Sequence, residues 1–271
     1  DSIYQIPSVF KNQMLDEIIL THFDLICKSS DLKEWEKEVV EKALNPKYKV
    51  KIAIVGKYIG LQDAYKSIYE ALVHAGIACD SQVEIKKVDS EDIEKTGADK
   101  FLEGVSGVLV PGGFGSRGIE GKIKAINFAR VNNIPFLGLC LGMQCAVIEF
   151  ARNVCGLSDA NSTEFKIKAK HPVISLLAEQ KKINDLGGTM RLGASVCKIK
   201  KSTLAFRVYR KEAISERHRH RYEFNNKYKT RLEKKGMVFS GIYKKKNLVE
   251  IIELKEHPYF IAVQFHPEFQ S

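Results

Sequence analysis

Three short stretches carry the residues that could do chemistry. In "GLCLG", Gly138 to Gly142, a cysteine ends an apolar run and has a glycine two positions to either side. That spacing suits a tight strand-to-helix turn with a nucleophile at its apex, as in G-x-S-x-G elbows. A thiol there faces the free N–H groups and positive dipole end of a helix, which stabilise a thiolate. Cys140 is therefore read as a nucleophile rather than as a small buried hydrophobe. A nucleophilic thiol needs a base, and the base needs an orienting group. "VQFHPEF" offers both: His266 follows the apolar stretch "YFIAVQF", and Glu268 stands two residues on with Pro267 between them. In an extended segment these two side chains point the same way, so the carboxylate reaches the imidazole and selects its tautomer. The third stretch is "VLVPGGFGSRG", Val108 to Gly118. A glycine-dense loop after a strand lets backbone N–H groups approach a developing oxyanion. It lacks the Gly-Lys-Ser/Thr of a phosphate-binding P-loop and the spacing of a dinucleotide fingerprint.

The elements that must position these residues follow a regular alternation. "KVKIAIVG", "QVEIKKV", "GVSGVLVPGG" and "NIPFLGLC" read as strands. Between and after them, "LQDAYKSIYEALVHAG" is expected to be a helix closed by Gly76, and "EGKIKAINFARVN" and "LGMQCAVIEFARNVCG" are expected to be helices. Strand–helix alternation predicts a parallel sheet covered on both faces. Beyond about residue 195, "STLAFRVY", "MVFSGIY", "LVEIIEL" and "YFIAVQFHPE" predict closely spaced strands, so the fold is read as α/β with a mixed sheet. Sites in such sheets form beyond the carboxyl ends of the strands, where Cys140 and His266 both fall. Residues 1 to 45 read as a polar helical arm, with a capping box at Asp31 and Glu34 and a stop at Asn45-Pro46.

Composition narrows the class of protein. The 271 residues are 44% hydrophobic, enough for a substantial core. No run approaches a membrane span of about 20 residues, and "DSIYQIPSVF" is not a signal peptide. Six scattered cysteines without CxxC pairs argue against a disulfide framework and against zinc, so no metal is expected and a reducing, cytoplasmic compartment is. The opening Asp1 suggests an excised piece of a longer chain. The net charge of +10 is regional: residues 198 to 246 hold 17 Lys and Arg against 4 acidic residues, and the remainder sums to −3. That patch suits nucleic acid, a nucleotide phosphate or an acidic partner face.

"GLCLGMQ", "PGGFGSRG" and "HPE" together resemble the class I glutamine amidotransferases. "GKYIGLQDAYKSIYEAL", "RGIEGKIKAI", "NSTEF", "ERHRHRYEFN" and "DSIYQIP" resemble, more narrowly, the glutaminase half of the CTP synthase family. The resemblance covers residues 1 to 271. It implies a flavodoxin-like domain over 46–271, with a mixed, largely parallel sheet flanked by helices, and a linker arm over 1–45 from an absent amidoligase domain. It implies glutamine hydrolysis to glutamate and ammonia through a Cys140–His266–Glu268 triad and a glutamyl thioester. Gly113 and Leu141 would supply the oxyanion hole, and Gln144, Glu164 and Arg221 would hold glutamine. In the family the ammonia serves ATP- and Mg2+-dependent conversion of UTP to CTP, GTP is an allosteric activator, and the full-length proteins form homo-tetramers. Phe114, Arg117 and Glu120 would then belong to an allosteric lid. No cofactor is expected in this domain, and neither nucleic acid nor a membrane is expected as a partner.

Two other classes compete with that reading. One is a cysteine peptidase or other thiol hydrolase on a related fold, against which the set Gln144, Glu164 and Arg221 discriminates, since a peptidase need not clamp both charged ends of a free amino acid. The other is a basic module binding phosphates or RNA through residues 198–246, which would show salt-dependent affinity and no thiol-dependent turnover.

Overall fold

The computed structural model describes residues 2–27, 31–177 and 190–271. The chain divides into two compact units, one of residues up to Val50 with Tyr69–Glu84 and Ser271, the other of Lys51–Ile68 with Ile85–Gln270.

In the first unit, helices Ile6–Asn12 and Leu15–His22 precede a helical stretch through Leu44 that stops before Asn45, as Asn-Pro predicts. The Trp35 indole N–H donates to the Tyr4 carbonyl at 2.8 Å, and the Tyr4 ring packs on both Trp35 and His74. The capping box expected at Asp31 and Glu34 does not form. Asp31 instead accepts the Lys33 N–H at 3.0 Å, and Leu32 occupies the cap position. Gly76 does not close its helix either, which runs on to Ala78. A Cβ at Gly76 would lie 2.6 Å from the Ser81 carbonyl oxygen, so this glycine admits a close backbone approach rather than a stop.

Twelve strands are found among the described residues: β1 (Tyr48–Gly56), β2 (Ser81–Asp89), β3 (Gly107–Val110), β4 (Phe136–Leu139), β5 (Ala160–Ser162), β6 (His171–Ser175), β7 (Arg191–Ile199), β8 (Ala213–His220), β9 (Glu223–Phe224), β10 (Met237–Tyr243), β11 (Leu248–Leu254) and β12 (Phe260–Val263). Nine form one mixed sheet in the order β2–β1–β3–β4–β12–β11–β10–β7–β8, and β5–β6–β9 form a second. β1, β3, β4 and β12 pair in parallel, with Val108 opposite Phe136 and Val263 opposite Leu139. From β12 to β8 every pairing is antiparallel.

β3, β4 and β12 are short and almost wholly buried, as strands covered on both faces must be. The Phe136 and Phe260 rings pack at 4.4 Å across β4 and β12. Two helices, Ile119–Val131 and Leu141–Asn153, join the same core, the second buried from Leu141 through Ala151. One expected strand is a helix: Leu204–Tyr209, within "STLAFRVY". Thr203 caps it by accepting the Phe206 N–H, and the Glu253 carboxylate accepts the Leu204 and Ala205 N–H groups at 2.8 and 2.7 Å. These caps satisfy the first-turn donors and override the β-branched and aromatic pattern of the segment. No helix among the described residues is long and apolar enough to cross a membrane.

Candidate active site

The site lies at the carboxyl ends of the parallel strands. β4 leads directly into Cys140, whose φ of 51° and ψ of −101° place a non-glycine residue in a strained turn. The flanking glycines make that turn sterically feasible. A Cβ at Gly138 would lie 2.9 Å from the Ala262 Cβ and 2.9 Å from the Gly142 carbonyl carbon, and a Cβ at Gly142 would lie 2.1 Å from the Val110 carbonyl oxygen. The Cys140 N–H donates to the Val263 carbonyl at 2.8 Å, and its carbonyl accepts the Gln144 N–H at 3.2 Å, locking the elbow to β12 and to the helix it opens. The thiol therefore sits over the first-turn N–H groups of helix Leu141–Asn153, and the Gln264 amide reaches Sγ at 3.8 Å.

His266 arrives from the neighbouring strand. Its N–H donates to the Arg217 carbonyl at 2.9 Å, and its Nδ1 meets Glu268 Oε1 at 2.8 Å, leaving Nε2 to face the thiol. The route differs from the extended geometry expected: Pro267–Gln270 is a single 3-10 turn, and the i, i+2 contact is made across it. Burial opposes a charged imidazole, but hydrogen bonds to Cys140 and Glu268, with their charges, outweigh it and raise His266 to about 10. Gly112 lies against this pair, since a Cβ there would be 3.0 Å from His266 Cε1 and 3.5 Å from Cys140 Cβ.

Gly113, Phe114, Cys140, Leu141, Gln144, Glu164, His220, Arg221 and Tyr222 converge on one cavity of about 10 Å³. That is room for about one water molecule, so a larger occupant requires the lining to rearrange. The Gln144 side-chain amide donates to the Tyr222 carbonyl at 3.1 Å and to Gln264 Oε1 at 3.3 Å. Glu164 accepts the Gly115 N–H at 2.9 Å. Burial raises the Glu164 pKa, against that hydrogen bond and the charges of Lys57 and Arg221. The Lys57 ammonium donates to the Phe114 carbonyl, and the Arg219 guanidinium stands 5.9 Å over the Phe114 ring.

The other two lid candidates lie outside the cavity lining. Arg117 pairs with Glu91 at 2.7 Å and donates to the Lys57 carbonyl at 3.3 Å, while Glu120 pairs with Arg152 at 2.8 Å. "ERHRH" is part of a strand: alternation along β8 turns Glu216, His218 and His220 inward and Arg217 and Arg219 outward, and Arg221 follows the strand. His218 Nδ1 and His220 Nε2 meet at 3.0 Å, and His220 Nδ1 reaches the Tyr222 carbonyl at 3.2 Å. Burial and the nearby Arg191 push His218 down to about 2 and His220 down to about 3, so both are neutral. The period-two pattern was the available signal for this strand. Gly112, Lys57, Gln264 and Lys122 carried none. Among the described residues no three His, Cys, Asp or Glu side chains are arranged to hold a metal ion.

An elbow thiol, a carboxylate-oriented imidazole and a glycine loop on a parallel α/β sheet define the class, and the family comparison agrees. Residues 60–271 match the model of the family described as glutamine amidotransferase class-I, and the chain belongs to that family. It is 57% identical over its whole length to a CTP synthase of Caldanaerobacter subterraneus subsp. tengcongensis and 56% identical to one of Carboxydothermus hydrogenoformans. The chain spans about half the length of these curated relatives, 50% in each case. Among solved structures it resembles the Trypanosoma brucei CTPS glutaminase domain with bound acivicin, at 43% identity and a TM-score of 0.76, over 81% of this chain and 86% of that one. Within the class, then, the chain stands with the glutaminase domains of CTP synthases.

Proposed function

We propose that this domain hydrolyses glutamine to glutamate and ammonia, with Cys140 as nucleophile, His266 as general base and acid, and Glu268 orienting the imidazole. The observation that carries the reading is the His266 ring held between Glu268 at 2.8 Å and Cys140 at the strained elbow. The Cys140 thiolate attacks the side-chain amide carbon, and the oxygen becomes an oxyanion. Leu141, first residue of the helix, has an N–H without an intrahelical acceptor and with the Gly113 N–H supplies the oxyanion hole. As the C–N bond breaks, His266 donates its proton to the leaving nitrogen, which departs as ammonia. A water then gives its proton to His266 and attacks the glutamyl thioester. The C–S bond breaks, restoring the thiolate and releasing glutamate.

The ends of the substrate have matching partners in the cavity lining. Glu164 takes the α-ammonium, Arg221 the α-carboxylate, and the Gln144 carbonyl oxygen is available for a further hydrogen bond. Glu164 also holds the Gly115 N–H through Oε1, so the group that takes the substrate ammonium is in contact with the loop.

The longer protein would use the ammonia in ATP- and Mg2+-dependent amination of UTP to CTP by an amidoligase domain joined through residues 1–45, with GTP as activator and Phe114, Arg117 and Glu120 in the responding lid. The support for this part is the likeness to CTP synthases of twice the length. The test of the glutaminase reading is treatment with 6-diazo-5-oxo-L-norleucine, a glutamine analogue that alkylates the attacking thiol. One adduct on Cys140, prevented by glutamine, is expected; labelling confined to other cysteines would overturn the assignment.

A further inference from the structure

Lys122 is fully buried on helix Ile119–Val131, on the face it shares with Ile119, Ile123 and Ile126, and its ammonium has no hydrogen-bond partner among the described residues. An unpaired buried ammonium is costly, and an apolar side chain of the same length would pack there without that cost. Its location gives the charge a use. A Cβ built at Gly113 would lie 3.7 Å from Lys122 Nζ and 3.4 Å from Leu141 Cδ2. The ammonium thus lies beneath Gly113, one of the two residues read as the oxyanion hole. Gly113's own carbonyl carbon is two bonds from that built position, within reach of a lysine donor after a small loop movement.

The surrounding groups leave the donor uncommitted. The charged and titratable groups acting on Lys122 are Cys145 on the elbow helix, Lys57 after β1 and Cys140 itself. Burial pushes the Cys145 thiol up to about 12, so it offers no thiolate to pair with. Lys57, the other lysine under the loop, already donates to the Phe114 carbonyl. Glu164 Oε1 accepts the Gly115 N–H, so the carboxylate read as the partner of the glutamine ammonium also tethers the loop.

We propose that Lys122 is a positioning residue of the glutaminase site: when the lining rearranges to admit glutamine, its ammonium donates to a peptide carbonyl at Gly113 and holds the Gly113 N–H on the developing oxyanion. This inference rests on the reading of Cys140 as nucleophile and Gly113 as oxyanion donor. The diazo-ketone puts its ketone oxygen where the glutamine amide oxygen would lie, so oxyanion-hole hydrogen bonds hold and polarise it while the thiol displaces N2 at the adjacent carbon. Iodoacetamide, a simple alkyl halide, does not depend on that contact, so the two reagents separate a loop role from a structural one.

The experiment compares the whole chain with Lys122→Met and Lys122→Gln. It measures glutaminase kcat and KM, the rate of Cys140 labelling by 6-diazo-5-oxo-L-norleucine, and the rate of its alkylation by iodoacetamide. The expected result is a 10- to 100-fold fall in kcat and at least a tenfold fall in diazo-ketone labelling, with KM within threefold and iodoacetamide alkylation within twofold. Circular dichroism identifies a variant that fails to fold, and the other then carries the comparison. Retention of kcat and diazo-ketone labelling within twofold overturns the proposal. Equal slowing of both reagents also overturns it, because the charge would then act on the thiol and not on the loop. A wild-type chain that neither releases ammonia nor labels at Cys140 overturns the glutaminase reading, and the proposal with it.

Discussion

Replacing Glu268 by Gln isolates the contribution of the orienting carboxylate. His266 rises from 6.5 to about 10 in the folded protein, which at about 1.4 kcal/mol per pH unit is roughly 5 kcal/mol in favour of the imidazolium. Cys140 and Glu268 share that gain against the cost of burial, and Cys140 is the larger contributor. Glu268 is the smaller of the two favourable contributors, so its loss is expected to lower the His266 titration without returning it to the value it would have lacking both partners. The amide also presents an NH2 as readily as a carbonyl to Nδ1, and the NH2 selects the wrong tautomer. Glutaminase kcat is expected to fall by about 10²- to 10⁴-fold, less than on replacing Cys140 by Ala. The assays are ammonia release and NMR titration of the imidazole. The folded-state value of His266 is raised, so its stabilisation is fully present below pH 6.5 and is lost as pH rises through about 10. The stability difference between wild type and variant should shrink over that interval. A loss of kcat below threefold with an unmoved imidazole titration would refute the reasoning.

Gly142→Ala sets a new Cβ 2.1 Å from the backbone oxygen of Val110, and urea unfolding is expected to show a loss of about 2 kcal/mol or more; a change under 0.5 kcal/mol would show that the elbow relaxes freely. Burial lowers Lys122 from 10.5 to about 8, so the unfolded chain binds more protons between those values and stability rises with pH there. Wild type should gain about 2 kcal/mol relative to Lys122→Met between pH 7.5 and 9.5, by urea unfolding at both. A flat difference would mean that Lys122 titrates alike in the folded and unfolded chain, so that burial does not depress it.

The local part of the site was legible because its constraints act over a few residues. Gly138, Cys140 and Gly142 lie within a single turn, and the elbow's steric demand appears as their spacing. His266 and Glu268 are likewise two residues apart, although a 3-10 turn, not an extended segment, joins them. The alternation of apolar runs was enough for a parallel sheet with its site at the strand ends. It misread Leu204–Tyr209, because beside the local Thr203 cap two of the first-turn N–H groups are satisfied by Glu253, almost fifty residues away.

The sequence by itself therefore determined which thiol is exposed to a helix terminus, which imidazole has a carboxylate, and that both end strands of one sheet. Only the tertiary structure decided what surrounds them. Gly112 lies on His266 because β3, β4 and β12 pair in a particular register. Gln264 reaches Sγ because β12 lies beside β4. Lys122 reads in sequence as one more charge on an amphipathic helix, and packing of that helix against the core buries its ammonium under Gly113. Close approaches between segments far apart in the chain depend on register and packing, which no local pattern of residue types encodes.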